Sequence, residues 1–217
     1  MRLLRLLITS AALMFTAAGA YAAEPKEGVD YSTISPVPTE AAGKKVEVIE
    51  FFMFTCPHCN ALEPRMSAWV KANADKVHFR RIHFARNEKD VLARAYVTLE
   101  TMGTPEIASQ KLFDAIHKDH KRLMREEDVT AVVVSAGVDK AKYESVYKSF
   151  GVESKMKRIG TLIGQYKVEF APTLVVDGRY MTSPTQAGRP NQSEEQSQAA
   201  AIAVADYLVA KVAATKK

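Results

Sequence analysis

The sequence predicts an α/β sandwich whose sheet is interrupted by a helical insertion, and three patterns carry that prediction. A near-continuous apolar run, Val46–Phe54, is followed at once by helical spacing and then by a second strand-like run, Val77–Phe84. Helical periodicity then recurs through residues 88–166. Finally, two short β-branched runs, Thr173–Val176 and Arg179–Thr182, meet at Asp177-Gly178 and lead into a last amphipathic helix. The order β-α-β, helical block, β-hairpin, α is that of one sheet whose two halves are separated by the block.

Each element has its own signal. Residues 23–45 are polar and broken by Pro25, Pro36 and Pro38, which predicts an irregular lead-in. The run VEVIEFFMF at 46–54 does not alternate, so it predicts a strand covered on both faces. Leu62, Met66, Trp69 and Val70 recur at helical spacing over 57–72, with Pro57 suited to the first turn and Pro64 placed to kink the helix. In VHFRRIHF, 77–84, the alternation slips at Arg80-Arg81, which predicts a bulge. The block reads as helices over 88–102, 105–119, 126–136 closed by Gly137, 139–149 opened by Asp139 and closed by Gly151, and 153–167. Asp-Gly at 177–178 is a two-residue hairpin signal. A polar loop over 183–192 precedes Ser193-Glu194-Glu195-Gln196, a capping box, and Ala201, Val204, Leu208 and Val212 form the stripe of the final helix.

Composition bounds the function. With 217 residues, 47% of them apolar and 25% charged, the chain suits one globular domain carrying an insertion, and low-complexity and disordered classes are excluded. The net charge of +5 is spread without a block of five like charges, which argues against nucleic acid or a membrane surface as partner. Two cysteines cannot supply a disulfide framework, so packing must hold the core.

Residues 1–22 combine Arg2 and Arg5, an apolar stretch and the small-residue ending Ala20-Tyr21-Ala22, the order of a cleavable secretory signal. Thr9, Ser10, Thr16 and Gly19 make it a poor membrane span. Export predicts an oxidising compartment, in which a cysteine pair persists as a disulfide.

Both cysteines fall in Cys56-Pro57-His58-Cys59, at the junction between the first strand and the first helix. A thiol reacts as its thiolate, and Cys56 precedes the first helical turn, where free backbone N–H groups and the dipole favour negative sulfur. His58 adds a cation or polar donor, and Pro57 stiffens the turn. A stabilised thiolate favours the reduced pair and makes its disulfide a stronger oxidant. The duller readings are a structural disulfide, which would close too small a loop to stabilise much, and a zinc half-site drawing on His78, His83, His117 or His120. His117 and His120 read as a solvated helix end, and His78 and His83 as strand-surface or packed residues.

IEFFMFTCPHC at 49–59 and FAPTLVVDGRY at 170–180 resemble the two signatures of the DsbA family of periplasmic thiol:disulfide oxidoreductases, and the likeness runs along essentially the whole chain after the signal. The resemblance implies a thioredoxin-like fold with an inserted helical domain, divided as 23–87, 88–166 and 167–217. It implies that Cys56 is the attacked and leaving sulfur and that Pro172 is a cis proline facing the disulfide, with Ala171 beside it in substrate binding. Glu50, a carboxylate inside an apolar strand, resembles the family's buried acid near the inner cysteine. Arg81 stands where the family usually has a lysine partner, Ala171 where better-known relatives have a branched residue, and Asn60 where they have an aromatic one. The implied function is donation of a disulfide to newly exported unfolded polypeptides by a monomer. It needs no cofactor or metal beyond the Cys56–Cys59 pair, and a quinone-linked membrane oxidase of the DsbB type would reoxidise that pair. A disulfide isomerase or reductase of the same fold, and a periplasmic chaperone, are the alternatives.

Overall fold

The computed structural model describes residues 24–85 and 87–216, and the predicted signal over 1–22 lies outside them. The elements run β1 (Ser32–Thr33), β2 (Val46–Phe52), α1 (Pro57–Ala72), β3 (Val77–His83), α2 (Val91–Thr101), α3 (Pro105–His117), α4 (Glu126–Ser135), α5 (Lys140–Tyr147), α6 (Phe150–Tyr166), β4 (Thr173–Val176), β5 (Tyr180–Thr182), α7 (Pro184–Ala187) and α8 (Glu194–Ala213).

The five-stranded sheet has the order β1-β5-β4-β2-β3. β2 lies parallel to β3 and antiparallel to β4. All seven residues of β2 are buried, as its near-continuous apolar run predicts. Val46, Val48, Leu174 and Val176 pack with Leu62 and Met66 of α1 and with the stripe Ala201, Val204, Leu208 and Val212 of α8. Ile49, Phe51 and Val175 pack on the other face with Ala93 and Val97 of α2 and Met156, Ile159 and Tyr166 of α6. Phe52, Phe54 and the two cysteines join residues of α2 to α5 in a third core, so the end of β2 is where the sheet meets the helical block.

Three expectations need correction. β2 and β3 pair one-to-one from Val46↔Val77 to Phe52↔His83, so there is no bulge at Arg80-Arg81. The slip in alternation arises because both faces of β3 meet glutamates: Arg80 reaches Glu47, and Arg81 reaches Glu50. Gly151 does not end α5 but lies in the first turn of α6, which Ser149 caps through Val152 N–H. The lead-in and the 183–192 loop are also less irregular than predicted. Ser32–Thr33 forms a two-residue edge strand on β5, and Ser183 caps the single turn α7, with Pro184 at its start. Both are too short for periodicity to register. α1 continues through Pro64 to Ala72.

The hairpin turn places Asp177 and Gly178 at φ 52° and 65°. A Cβ on Gly178 would lie 2.1 Å from the Val37 carbonyl oxygen, because the lead-in crosses over the turn. Gly160, in the middle of α6, has nothing within 4 Å of the same construction. Gly178→Ala should therefore destabilise the protein by at least about 1–2 kcal/mol, while Gly160→Ala should stabilise it by about 0.5–1 kcal/mol. Urea unfolding of the two variants against wild type tests the opposite signs.

Candidate active site

β2 ends at Phe52, and Met53–Thr55 carry the chain to Cys56, the N-cap of α1. The Cys56 N–H donates to the Met53 carbonyl at 3.1 Å, closing this tight connection. The preceding peptide is held from both sides: Phe54 N–H donates to His83 Nε2 at 3.2 Å, and its carbonyl accepts from His117 Nε2 at 2.8 Å. His117 is therefore not a solvated helix end. Its ring stacks near Phe113, 6.1 Å away, and anchors the end of α3 to the cysteine loop. His83 is buried, one of the two outcomes foreseen for it.

Both cysteines are free thiols, and their surroundings differ. Cys56 is 8% exposed at the mouth of the site, and Cys59, one turn into α1, is 1% exposed. Cys59 donates its S–H to the Cys56 sulfur. With the backbone N–H groups of Cys59 and His58 and the nearby imidazole, this lowers the Cys56 thiol to about 6 against the opposing effect of burial. The same hydrogen bond, together with burial and the charge of Glu50, pushes the Cys59 thiol far up. One sulfur carries the charge and the other keeps the proton.

The loop before β4 faces the pair. The Ala171-Pro172 peptide is cis, and the Cys56 sulfur lies 3.4 Å from the Ala171 carbonyl oxygen. Beside them lies a cavity of about 210 Å³ whose lining includes His58, Phe170, Pro172 and Glu194.

Beneath Cys59 is a charge cluster whose Glu50 and Arg81 are buried and whose Glu106 reaches solvent. Arg81 Nε donates to Glu50 Oε2 at 2.8 Å, and its fork also meets Glu63 of α1 at 2.6 Å and Glu106 of α3 at 3.4 Å. Burial raises the Glu50 carboxyl, Arg81 opposes that rise, and Glu63 reinforces it. Arg81 itself is held above its ordinary value by the surrounding carboxylates, chiefly Glu50 and Glu63, which outweigh its burial.

The family is decided by the match of the DSBA-like thioredoxin domain to residues 47–200. The chain belongs to the DsbA-like thioredoxin-domain family. It is 36% identical to the thiol:disulfide interchange protein DsbA of Bordetella parapertussis over 205 residues, 94% of each chain. It is also 36% identical to that of Pseudomonas aeruginosa over 193 residues, 88% of this chain and 86% of the relative. The crystal structure of P. aeruginosa DsbA superposes with a TM-score of 0.78 at 35% identity, covering 89% of this chain and 97% of that one. Reduced DsbA1 of Neisseria meningitidis gives 0.74 at 26% identity, covering 89% and 98%. The fold is thus the thioredoxin-like DsbA fold, with α2 to α6 lying between β3 and β4.

The structure brings Cys56, Pro57, His58 and Cys59 together with Ala171 and Pro172, and sets Glu50 within the charge cluster below. Sequence reasoning missed Glu63, Glu106, His117 and Glu194. Helical spacing could have found Glu63, which lies four residues after Cys59 on the buried face of α1. Nothing local marks the other three. Among the described residues no three His, Cys, Asp or Glu side chains converge as a metal cage, so the ligands that a zinc half-site requires are not assembled there.

Because the depressed group is an acid, the Cys56 thiolate stabilises the reduced fold fully above the ordinary thiol value of 9.0, and that stabilisation is lost as pH falls through about 6. At pH 7 it is on the order of 1 kcal/mol. Ultraviolet titration of the reduced protein should show a single thiolate appearing near pH 6. Unfolding at several pH values should show the reduced form's advantage over the oxidised form shrinking on acidification; a pH-independent difference would contradict this.

Proposed function

We propose that this chain is a disulfide oxidase that donates the Cys56–Cys59 disulfide to newly exported, unfolded polypeptides. The observation that carries the reading is the unequal pair: a Cys56 sulfur favoured as thiolate beside a Cys59 sulfur that keeps its proton. In a structural disulfide the two sulfurs have no reason to differ in this way.

The reaction follows from that inequality. A substrate thiolate attacks Cys56 Sγ of the disulfide, and the Cys56–Cys59 bond breaks with its electron pair on Cys59. Cys59 needs a proton as it leaves, and Glu50, the buried carboxyl whose charge acts on that sulfur, is the group placed to supply it. A second substrate thiolate attacks the substrate sulfur of the mixed disulfide. Cys56 departs as a thiolate already stabilised by Cys59 S–H, two backbone N–H groups and His58. The substrate has lost two electrons, and the pair has gained them, so the chemistry requires no further cofactor. Pro57 stiffens the turn between the sulfurs. Pro172 has no N–H to offer and, with Ala171, leaves the loop facing Cys56 open to an extended substrate backbone.

Reoxidation of the reduced pair requires an electron acceptor, for which a quinone-linked membrane oxidase of the DsbB type is proposed. Residues 1–22 support export to the periplasm, and among the described residues no helix is long and apolar enough to cross a membrane. The chain is proposed to act as a monomer divided into a thioredoxin-like part over 23–87 and 167–217 and a helical insertion over 88–166.

With a reduced unfolded protein as substrate, wild type should form substrate disulfides and Cys56→Ser should not. Cys59→Ala charged with a substrate thiol should hold a mixed disulfide on Cys56. Full oxidative folding by Cys56→Ser would favour the chaperone alternative, and a strongly reducing potential the reductase. Glu50→Gln should slow steps that move the Cys59 proton by about 10-fold or more while leaving the Cys56 titration near its wild-type position. Stopped-flow oxidation and the thiolate titration measure the two separately.

A further inference from the structure

His58 lies in the cysteine motif, yet the group that holds it comes from the far end of the chain. Glu194 Oε1 is 2.6 Å from His58 Nδ1, across 136 residues of sequence. The carboxylate is presented from a fixed support. Ser193 and Gln196 close a reciprocal capping box around it, Gln198 Nε2 donates to the same Oε1 at 3.3 Å, and the adjacent Glu195 pairs with Arg65 of α1. Both His58 and Glu194 border the cavity that contains Pro172, so the pair spans from α1 to α8 beside the reacting sulfur.

We propose that Glu194 is a positioning residue for disulfide exchange: it holds the His58 imidazolium beside Cys56 and so maintains the cation that the departing Cys56 thiolate requires. The proposal rests on Cys56 acting as the thiolate leaving group. The charged groups facing His58 are Cys56 from its own segment and Glu194 from α8, and both favour its protonated form. The other contributions to the Cys56 thiolate come from Cys59 and backbone N–H groups, which Glu194 does not touch.

The sign of the effect separates this role from a simple field. A carboxylate acting directly on Cys56 would oppose the thiolate, so its removal would lower the Cys56 titration midpoint. A carboxylate acting through His58 supports the thiolate, so its removal raises the midpoint.

The test uses the full chain with Glu194→Gln, alone and combined with His58→Ala. Glu194→Gln keeps the Ser193–Gln196 box, and urea unfolding confirms that the variant is folded. The Cys56 midpoint should rise, and the equilibrium constant for oxidising reduced glutathione should fall about threefold, the scale of an exposed ion pair. In the His58→Ala background neither quantity should change in that direction. Proton NMR of the His58 ring should show its own midpoint falling in Glu194→Gln. A Cys56 midpoint that stays or falls, the same rise without His58, or an unmoved His58 titration overturns the proposal. A wild-type Cys56 titrating at the ordinary thiol value would instead refute the thiolate reading beneath it.

Discussion

Two of the seven residues of the fully buried strand β2 are glutamates, and the rest of the molecule is arranged around that constraint. A buried carboxylate without a partner costs several kcal/mol. Pairing β2 with β3 in parallel register meets the cost on both faces. Arg80 and Arg81 are consecutive, so their side chains leave opposite faces of β3; Arg80 reaches Glu47 at 3.4 Å, and Arg81 reaches Glu50 at 2.8 Å. A one-residue slip would put each arginine on the wrong face, so the ion pairs specify the register as firmly as the apolar residues do.

That register sets the chemistry at the strand's end. Glu50 and Arg81 occupy the sheet face under α1, the face toward which Cys59 and Glu63 point. A buried sulfur above a carboxylate cluster resists ionisation, whereas Cys56, at the amino end of the same helix, meets N–H donors and an imidazole. The fold thus separates two chemically identical side chains by one helical turn and assigns them opposite protonation states. The His83 and His117 contacts on Phe54 keep the connecting peptide fixed, so this separation follows from packing rather than from the four-residue motif alone.

Much of this was legible in the sequence, and what was not has a physical reason. The elements from Val46 to Ala72, the hairpin at Asp177-Gly178 and the capping box at Ser193 are local patterns, and each forms where its residues predict. The slip at Arg80-Arg81 predicts a bulge that does not form, because alternation reports one covered face and β3 has charged partners on both. His117 and Glu194 carry no local signal: their partners lie 63 and 136 residues away, and only the assembled fold brings them to the cysteine loop. Ser32–Thr33 and Pro184–Ala187 are shorter than one period of any pattern.

Arg81 narrows the routes open to a proton near Cys59. Lysine is a point charge whose proton can be given up when buried, whereas arginine keeps its charge and offers a planar fork. Here Nε donates to Glu50 and one terminal nitrogen to Glu106, the other lies in ion-pair contact with Glu63, and these carboxylate neighbours hold the charge more firmly still. Arg81 can therefore orient Glu50 but cannot exchange a proton for it. The charge that compensates the cluster is thereby confined to a group that keeps its proton. The arginine makes the cluster more rigid and leaves Glu50, whose carboxyl burial raises, as the titratable carboxyl whose charge acts on Cys59.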